Sequence, residues 1–231
     1  VLRRGNPVLE GDVVEPAFPT VLRPPAATVP DDYKTPGSSG RRRVLADWIA
    51  SKDNPTTARV MMNRVWQHHF GRGIVRSTSD FGFQGTKPTH PKLLDWLATE
   101  FMARSWDLKA MHKFLMTSDA YKRSSAPNDE AFVKDPLNNR LWRFDMRRLT
   151  AEEVRDSVLA ARGNINFKMG GPSITPPLPQ MVLATASRPG AGWGRSSPEE
   201  SNRRSVYVKV KRSMHMPILI NHDQADTDSS C

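Results

Sequence analysis

NPTTARVMMNRVWQHHFGRGIVRSTSDFG, residues 54–82, contains in order a helix start, an apolar stripe, a helix stop and an irregular loop. Asn54 can accept the N–H groups that follow it. Pro55 suits a first helical position, because it has no N–H to leave unpaired and its φ is already near helical. Ala58, Met61, Met62, Val65, Trp66, His69 and Phe70 then recur at three- and four-residue spacing and draw one apolar stripe, while Arg59, Asn63, Arg64, Gln67 and His68 fall elsewhere. Gly71 ends it. A helix from Pro55 to Phe70 would be roughly 24 Å long, enough to cross a small domain, so this spacing predicts the central helix.

Before it, Arg41 to Ala50 places Val44, Leu45, Trp48 and Ile49 on one helical face. Upstream, EPAFPTVLRPPAATVPDDYKTPGSSG carries six prolines and reads as a linker or wrapping arm, anchored if ordered by Phe18 and Leu22. After Gly71 the backbone is irregular as far as Pro91, with Gly71, Gly73, Gly82 and Gly85 in it. Thr89 or His90 can cap a helix opened by Pro91 with Leu93, Leu94, Trp96, Leu97 and Phe101 facing in; Asp107 can cap another with Leu108, Met111 and Leu115. Leu141, Trp142 and Phe144 are placed to press on these helices. Thr150 and Glu153 form a capping box for a helix that runs to Gly163, with Arg155 and Asp156 beside its buried face. Residues 164–205 lack periodicity and read as an unstructured connection or a functional loop. SVYVKVK, residues 205–211, alternates like a strand. The expected fold is mainly α, an irregular helical domain with long loops and a small C-terminal β element. Its parts are an extended arm at 1–40, a helical core at 41–163, and a loop, strand and tail at 164–231.

The 231 residues, 38% of them hydrophobic, can build a core, and no apolar run approaches the eighteen residues of a membrane span. A lone cysteine, Cys231, excludes an internal disulfide, a cysteine-zinc cluster and a CxxCH haem attachment. The opening VLRRG and the closing SSC suggest a piece of a longer protein. A formal charge of +10 favours an anionic partner. Its short runs at Arg41–Arg43, Arg147–Arg148 and Arg203–Arg204 are scattered and lie near acids, which argues for a solvated surface, an acidic partner surface or an anionic glycan rather than nucleic acid.

Three residue sets could carry chemistry. His68 and His69 are adjacent, about 100° apart on a helix, and HExxH is absent, so no metal site is expected. His222 and Asp223 with Asp226 and Asp228 could hold a cation, although a solvated tail explains them as well. Asp80, His90 and Asp95 flank the irregular loop and are the acid-base candidates; the plainer account gives Asp80 to a turn and the other two to a helix start. Arg64, Arg147, Arg148 and Arg155 could fork a carboxylate or sulfate, or could pair with Asp145, Glu152, Glu153 and Asp156. The DFG at Asp80–Gly82 lacks the other segments of a kinase.

The runs NRVWQHHFGRGIVRSTSDFGFQGTKPTHPKLLDWLATEF, SWDLKAMHKFLMTSDAYKRSS, DPLNNRLWRFDMRRLTAEEVRDSVLAARGNI and GGPSI closely resemble the planctomycete-specific, cytochrome-associated family labelled domain of unknown function 1553. The likeness extends from VLRRGNPVLEGDVVEPAFP to RRSVYVKVKRS. It implies an exported protein outside the cytoplasm, in which this domain follows another uncharacterised domain and a cytochrome c module that would carry the haem c. The partners it implies are those domains. It carries over no established catalytic residues, so Asp80, His90 and Asp95 as catalytic groups, and Asn63, Arg64, His68, Arg148 and Asp156 as ligand-binding groups, rest on their motif-rich settings. Two functions are expected: an accessory or interaction module of a cytochrome c-linked protein, or an enzyme acting on an anionic polysaccharide by acid-base chemistry.

Overall fold

The computed structural model describes residues 3–184, 188 and 190–225. Asp226, Asp228 and Cys231 lie outside the described residues. The chain divides into two compact units, Val1–Met146 and Arg147–Cys231, each with an apolar core of its own. The mainly α expectation holds. No β-sheet forms among the described residues, and no helix there is long and apolar enough to cross a membrane.

In the first unit the Pro-rich segment turns at Thr20–Leu22 and Asp31–Tyr33 before α1, Arg41–Ile49. Asn54 Oδ1 then accepts the N–H groups of Thr56 at 2.9 Å and Thr57 at 3.3 Å, so that side chain closes the turn from which α2, Thr57–Phe70, grows. Regular helix therefore begins two residues later than the proline suggests. Met62, Val65, Trp66 and Phe70 of α2 are buried, as are Leu94, Leu97 and Phe101 of α3, Pro91–Ala103, and Met111 and Leu115 of α4, Leu108–Met116. Met61, at 37% exposure, falls off the stripe. Asp107 caps α4 by accepting from Ala110 N–H at 3.0 Å, and Asn128 caps the short α5, Asp129–Lys134. Leu141 and Phe144 pack on the core. Trp142 instead directs its ring N–H to the Asp135 carbonyl.

The irregular loop is pinned to α2 by one side chain. Asn63 is fully buried; its Nδ2 donates to Val75 O at 3.0 Å and its Oδ1 accepts from Val75 N–H at 2.8 Å. This fork satisfies both backbone groups of a residue that has no helix or sheet to do so. The approach is close enough that a Cβ at Gly73 would stand 2.7 Å from Asn63 Nδ2 and 2.5 Å from Val75 O, so only glycine fits there.

In the second unit α6, Ala151–Ala161, starts from the capping box: Thr150 Oγ1 accepts from Glu153 N–H at 3.2 Å and Glu153 Oε2 from Thr150 N–H at 2.8 Å. Short helices α7, Gln180–Ala184, α8, Pro198–Ser201, and α9, Pro217–Ile220, complete the unit. Ile174, Trp193, Val208, Met214 and Leu219 form its core with Ala151. Residues 164–205 are thus not structureless where described. Their 168–172 stretch is held by Arg203, which is fully buried and donates to the carbonyls of Lys168, Gly170 and Pro172, while its guanidinium lies 3.9 Å over the Tyr207 ring.

The expected C-terminal β element does not form among the described residues. Ser205–Tyr207 is a 3-10 turn, and only an isolated parallel bridge, Ile174 with Val208, follows. Asp156 Oδ1 captures Ser205 N–H at 2.7 Å, so the amide that would start a ladder is committed to α6. The alternation also has no buried side to serve, since Val206 and Val210 are exposed and Val208 is buried.

Candidate functional site

The acid-base candidates have separate partners. Asp80 is exposed, and its Oδ1 accepts Gly82 N–H at 2.7 Å while its carbonyl accepts the Ser77 hydroxyl at 2.7 Å. This is the turn role. Asp95 on α3 accepts from Arg59 Nε at 2.6 Å, an exposed ion pair between α2 and α3. His90 precedes α3 without capping it through its side chain, and its Nδ1 meets Thr89 Oγ1 at 3.0 Å.

The ligand-binding candidates fall in both units, and most already have partners. Asn63 is spent on Val75, and Arg64 and His68 lie exposed on α2. Arg148 pairs with Asp223 at 2.5 Å, both side chains exposed. Asp156 holds Ser205 N–H and meets Arg204 Nε at 3.3 Å. The neighbouring Arg155 is buried, and its guanidinium donates to Ser201 O at 2.7 Å, Arg203 O at 3.0 Å and Ser205 Oγ at 3.0 Å. Burial pushes its pKa down and Asp156 opposes that. Arg147 forks Glu153 at 2.8 and 2.6 Å.

His90 lines a cleft with Arg72, Arg76, Thr89, Asn139 and Asp145. Asp80 and Asp95 are not among its walls. Asp145 takes Arg72 on one oxygen and Arg143 at 3.4 Å on the other, while Arg76 donates to Gly73 O at 3.1 Å and Asn139 Oδ1 at 2.8 Å. Burial, and then the charge of Arg72, lower the Arg76 pKa. Every charged group there already has an opposite charge or acceptor, and the free volume of about 20 Å³ suits about one water. Among the described residues no buried side-chain nitrogen or oxygen lacks a partner, and no group of three or more His, Cys, Asp or Glu converges as a metal site.

A roomier feature lies between the Pro-rich segment and α1. Phe18 stacks on Trp48 with ring centroids 4.6 Å apart, which bears out its role as an anchor, and the groove beside it encloses about 220 Å³. Pro16, Ala17, Ala27, Val29, Val44 and Leu45 line it, with Arg41 and Arg42 the charged members. α1 buries none of its residues fully, and Leu45 and Ile49 stay 46% and 43% exposed. Arg43 and Asp47 are engaged by Tyr33, the first over its ring at 3.8 Å, the second accepting its hydroxyl at 2.6 Å. Neither Arg41 nor Arg42 has an acceptor among the described residues. The sequence showed the anchor and the arginines; the missing signal was the fold-back of the arm that sets them side by side.

Residues 41–231 match the family profile PSD1, described as protein of unknown function (DUF1553). The chain belongs to that family. The matched stretch opens at Arg41, the first residue of α1, so the groove is built half from the PSD1 domain and half from the preceding arm. The likeness read from residues 1–40 lies outside the match. No curated protein and no solved structure matches the chain.

Proposed function

We propose that this PSD1 domain is a non-catalytic interaction module of an exported, cytochrome c-linked protein, holding a partner domain outside the cytoplasm while haem chemistry proceeds elsewhere. One observation supports the reading: Asp80 and Asp95 already have partners, a turn amide and Arg59, and neither lines the cleft that His90 lines. An enzyme needs such groups to converge on a space where a reacting atom can sit. The cleft at His90 offers about 20 Å³ and arginines already engaged. The cytochrome link rests on the resemblance of the motif runs.

The test pairs a turnover assay with a titration. The chain is incubated with carboxylated and sulfated polysaccharides, new chain ends are followed, and it is titrated calorimetrically with the cytochrome c module. Saturable binding of the module without turnover is expected. Polysaccharide cleavage that disappears in Asp80→Asn or His90→Gln, with the far-ultraviolet spectrum unchanged, would replace this reading with the enzyme one.

A further inference from the structure

Resting on the interaction-module reading, we infer that the groove between the Pro-rich arm and α1 is the docking site and that its occupant is an acidic protein segment, with an apolar side chain as anchor and a carboxylate beside it. The anchor follows from the lining. Phe18, Ala27, Val29 and Leu45 present an apolar wall, and about 220 Å³ is below the roughly 300–1,000 Å³ of small-molecule pockets, on the scale of a side chain or two.

The charge of the occupant follows from α1. Its first turn holds Arg41 and Arg42 and no acid, and Gly40 before it supplies no side-chain acceptor. Basic residues at a helix N-terminus add to the positive end of the dipole, and no acid of the first turn offsets them. Arg43 and Asp47, one turn apart, are consumed by Tyr33. Arg41 and Arg42 are exposed and without an acceptor among the described residues, and both line the groove. A carboxylate adjoining the apolar anchor would meet two guanidiniums and the amide end of a helix together. A second copy is disfavoured, because each chain carries a formal charge of +10.

The test begins with a display library of short random peptides selected on the whole chain. Selected peptides should carry Asp or Glu next to Leu, Phe or Trp. By fluorescence anisotropy, their affinity should fall about tenfold or more in Arg41→Glu/Arg42→Glu and in Ala27→Trp, which fills the groove without changing charge. The exposed Lys92→Glu/Lys109→Glu pair on α3 and α4 makes the same charge change elsewhere and should stay within about twofold. Circular dichroism checks that each variant is folded.

Selection of peptides without acids, or equal losses in the control, would overturn the proposal. So would self-association of the chain that the groove variants abolish, which would make the face homotypic, or groove-dependent binding to phosphatidylglycerol vesicles without peptide binding. Polysaccharide turnover would remove the non-catalytic reading and leave the peptide result standing. Loss of groove-dependent peptide binding, with the cytochrome module still bound, would remove the groove and leave that reading.

Discussion

At Arg203 a single side chain replaces the hydrogen bonding that a sheet would supply. Its Nε and Nη groups reach carbonyls of Lys168, Gly170 and Pro172, Nη1 also meets Glu200 Oε2 at 3.2 Å, and the guanidinium is entirely enclosed. A lysine is a point charge on a flexible stem and cannot serve acceptors spread along a fork. Arg203→Lys should therefore destabilise the second unit by about 3 kcal/mol, since buried carbonyls would be left unpaired. Hydrogen exchange read by mass spectrometry checks it: protection across 166–175 should fall while α2 keeps its protection, and unchanged exchange at 166–175 would refute the assignment. Little of this was legible in the sequence. Arg203–Arg204 reads as a surface run because the carbonyls that bury Arg203 lie some thirty residues earlier, and no local pattern points to them. From its motif Asn63 reads as a ligand-binding group; its fork on Val75 depends on how the loop after Gly71 folds back.

At the scale of elements, local chemistry was readable wherever it was self-contained. The Asp107 cap, the Thr150–Glu153 box and the stops at Gly71 and Gly163 need only neighbouring residues. No strand forms over 205–211 because pairing requires a partner edge, and among the described residues only Ile174 bridges to it. The capping box yields a pH prediction. Arg147 beside Glu153, with the Thr150 N–H, lowers its carboxyl from 4.5 to about 2. Folding thus gains from ionised Glu153 above the ordinary carboxyl value, and that gain is lost as pH falls from about 4.5 toward about 2. With the side chain 39% exposed, screening reduces the contribution to about 1 kcal/mol. Glu153→Gln keeps a capping side chain and should flatten this part of the acid unfolding curve. An unaltered acid midpoint in the variant would show that Glu153 is not coupled to folding.

At the scale of the molecule, the two cores share no residue among the described ones: one is drawn from positions before Met146, the other from Ala151 onward. A chain ending at Met146 should consequently retain its helices and unfold cooperatively, as a unit with buried Leu97, Phe101, Met111 and Leu115 can. Calorimetry on that fragment checks this, and a featureless trace would show the first core to be incomplete. The candidate site was the least legible part at this scale. Asp80, His90 and Asp95 are close in sequence, but a turn, a loop end and an ion pair divide them. Beside the groove, Phe18 stacks on Trp48 across a Pro-rich stretch whose path no periodicity describes.

The enclosure of Arg203 sets different rules for length and for letter. It grips the backbone of 168–172, whereas the side chains of Phe167 and Met169 are 68% and 80% exposed. Residue identity at those two positions is free to drift. The spacing between Lys168 and Pro172 is not, because one inserted or deleted residue would carry a carbonyl out of reach of a rigid fork, so related chains should vary there by substitution and keep their register.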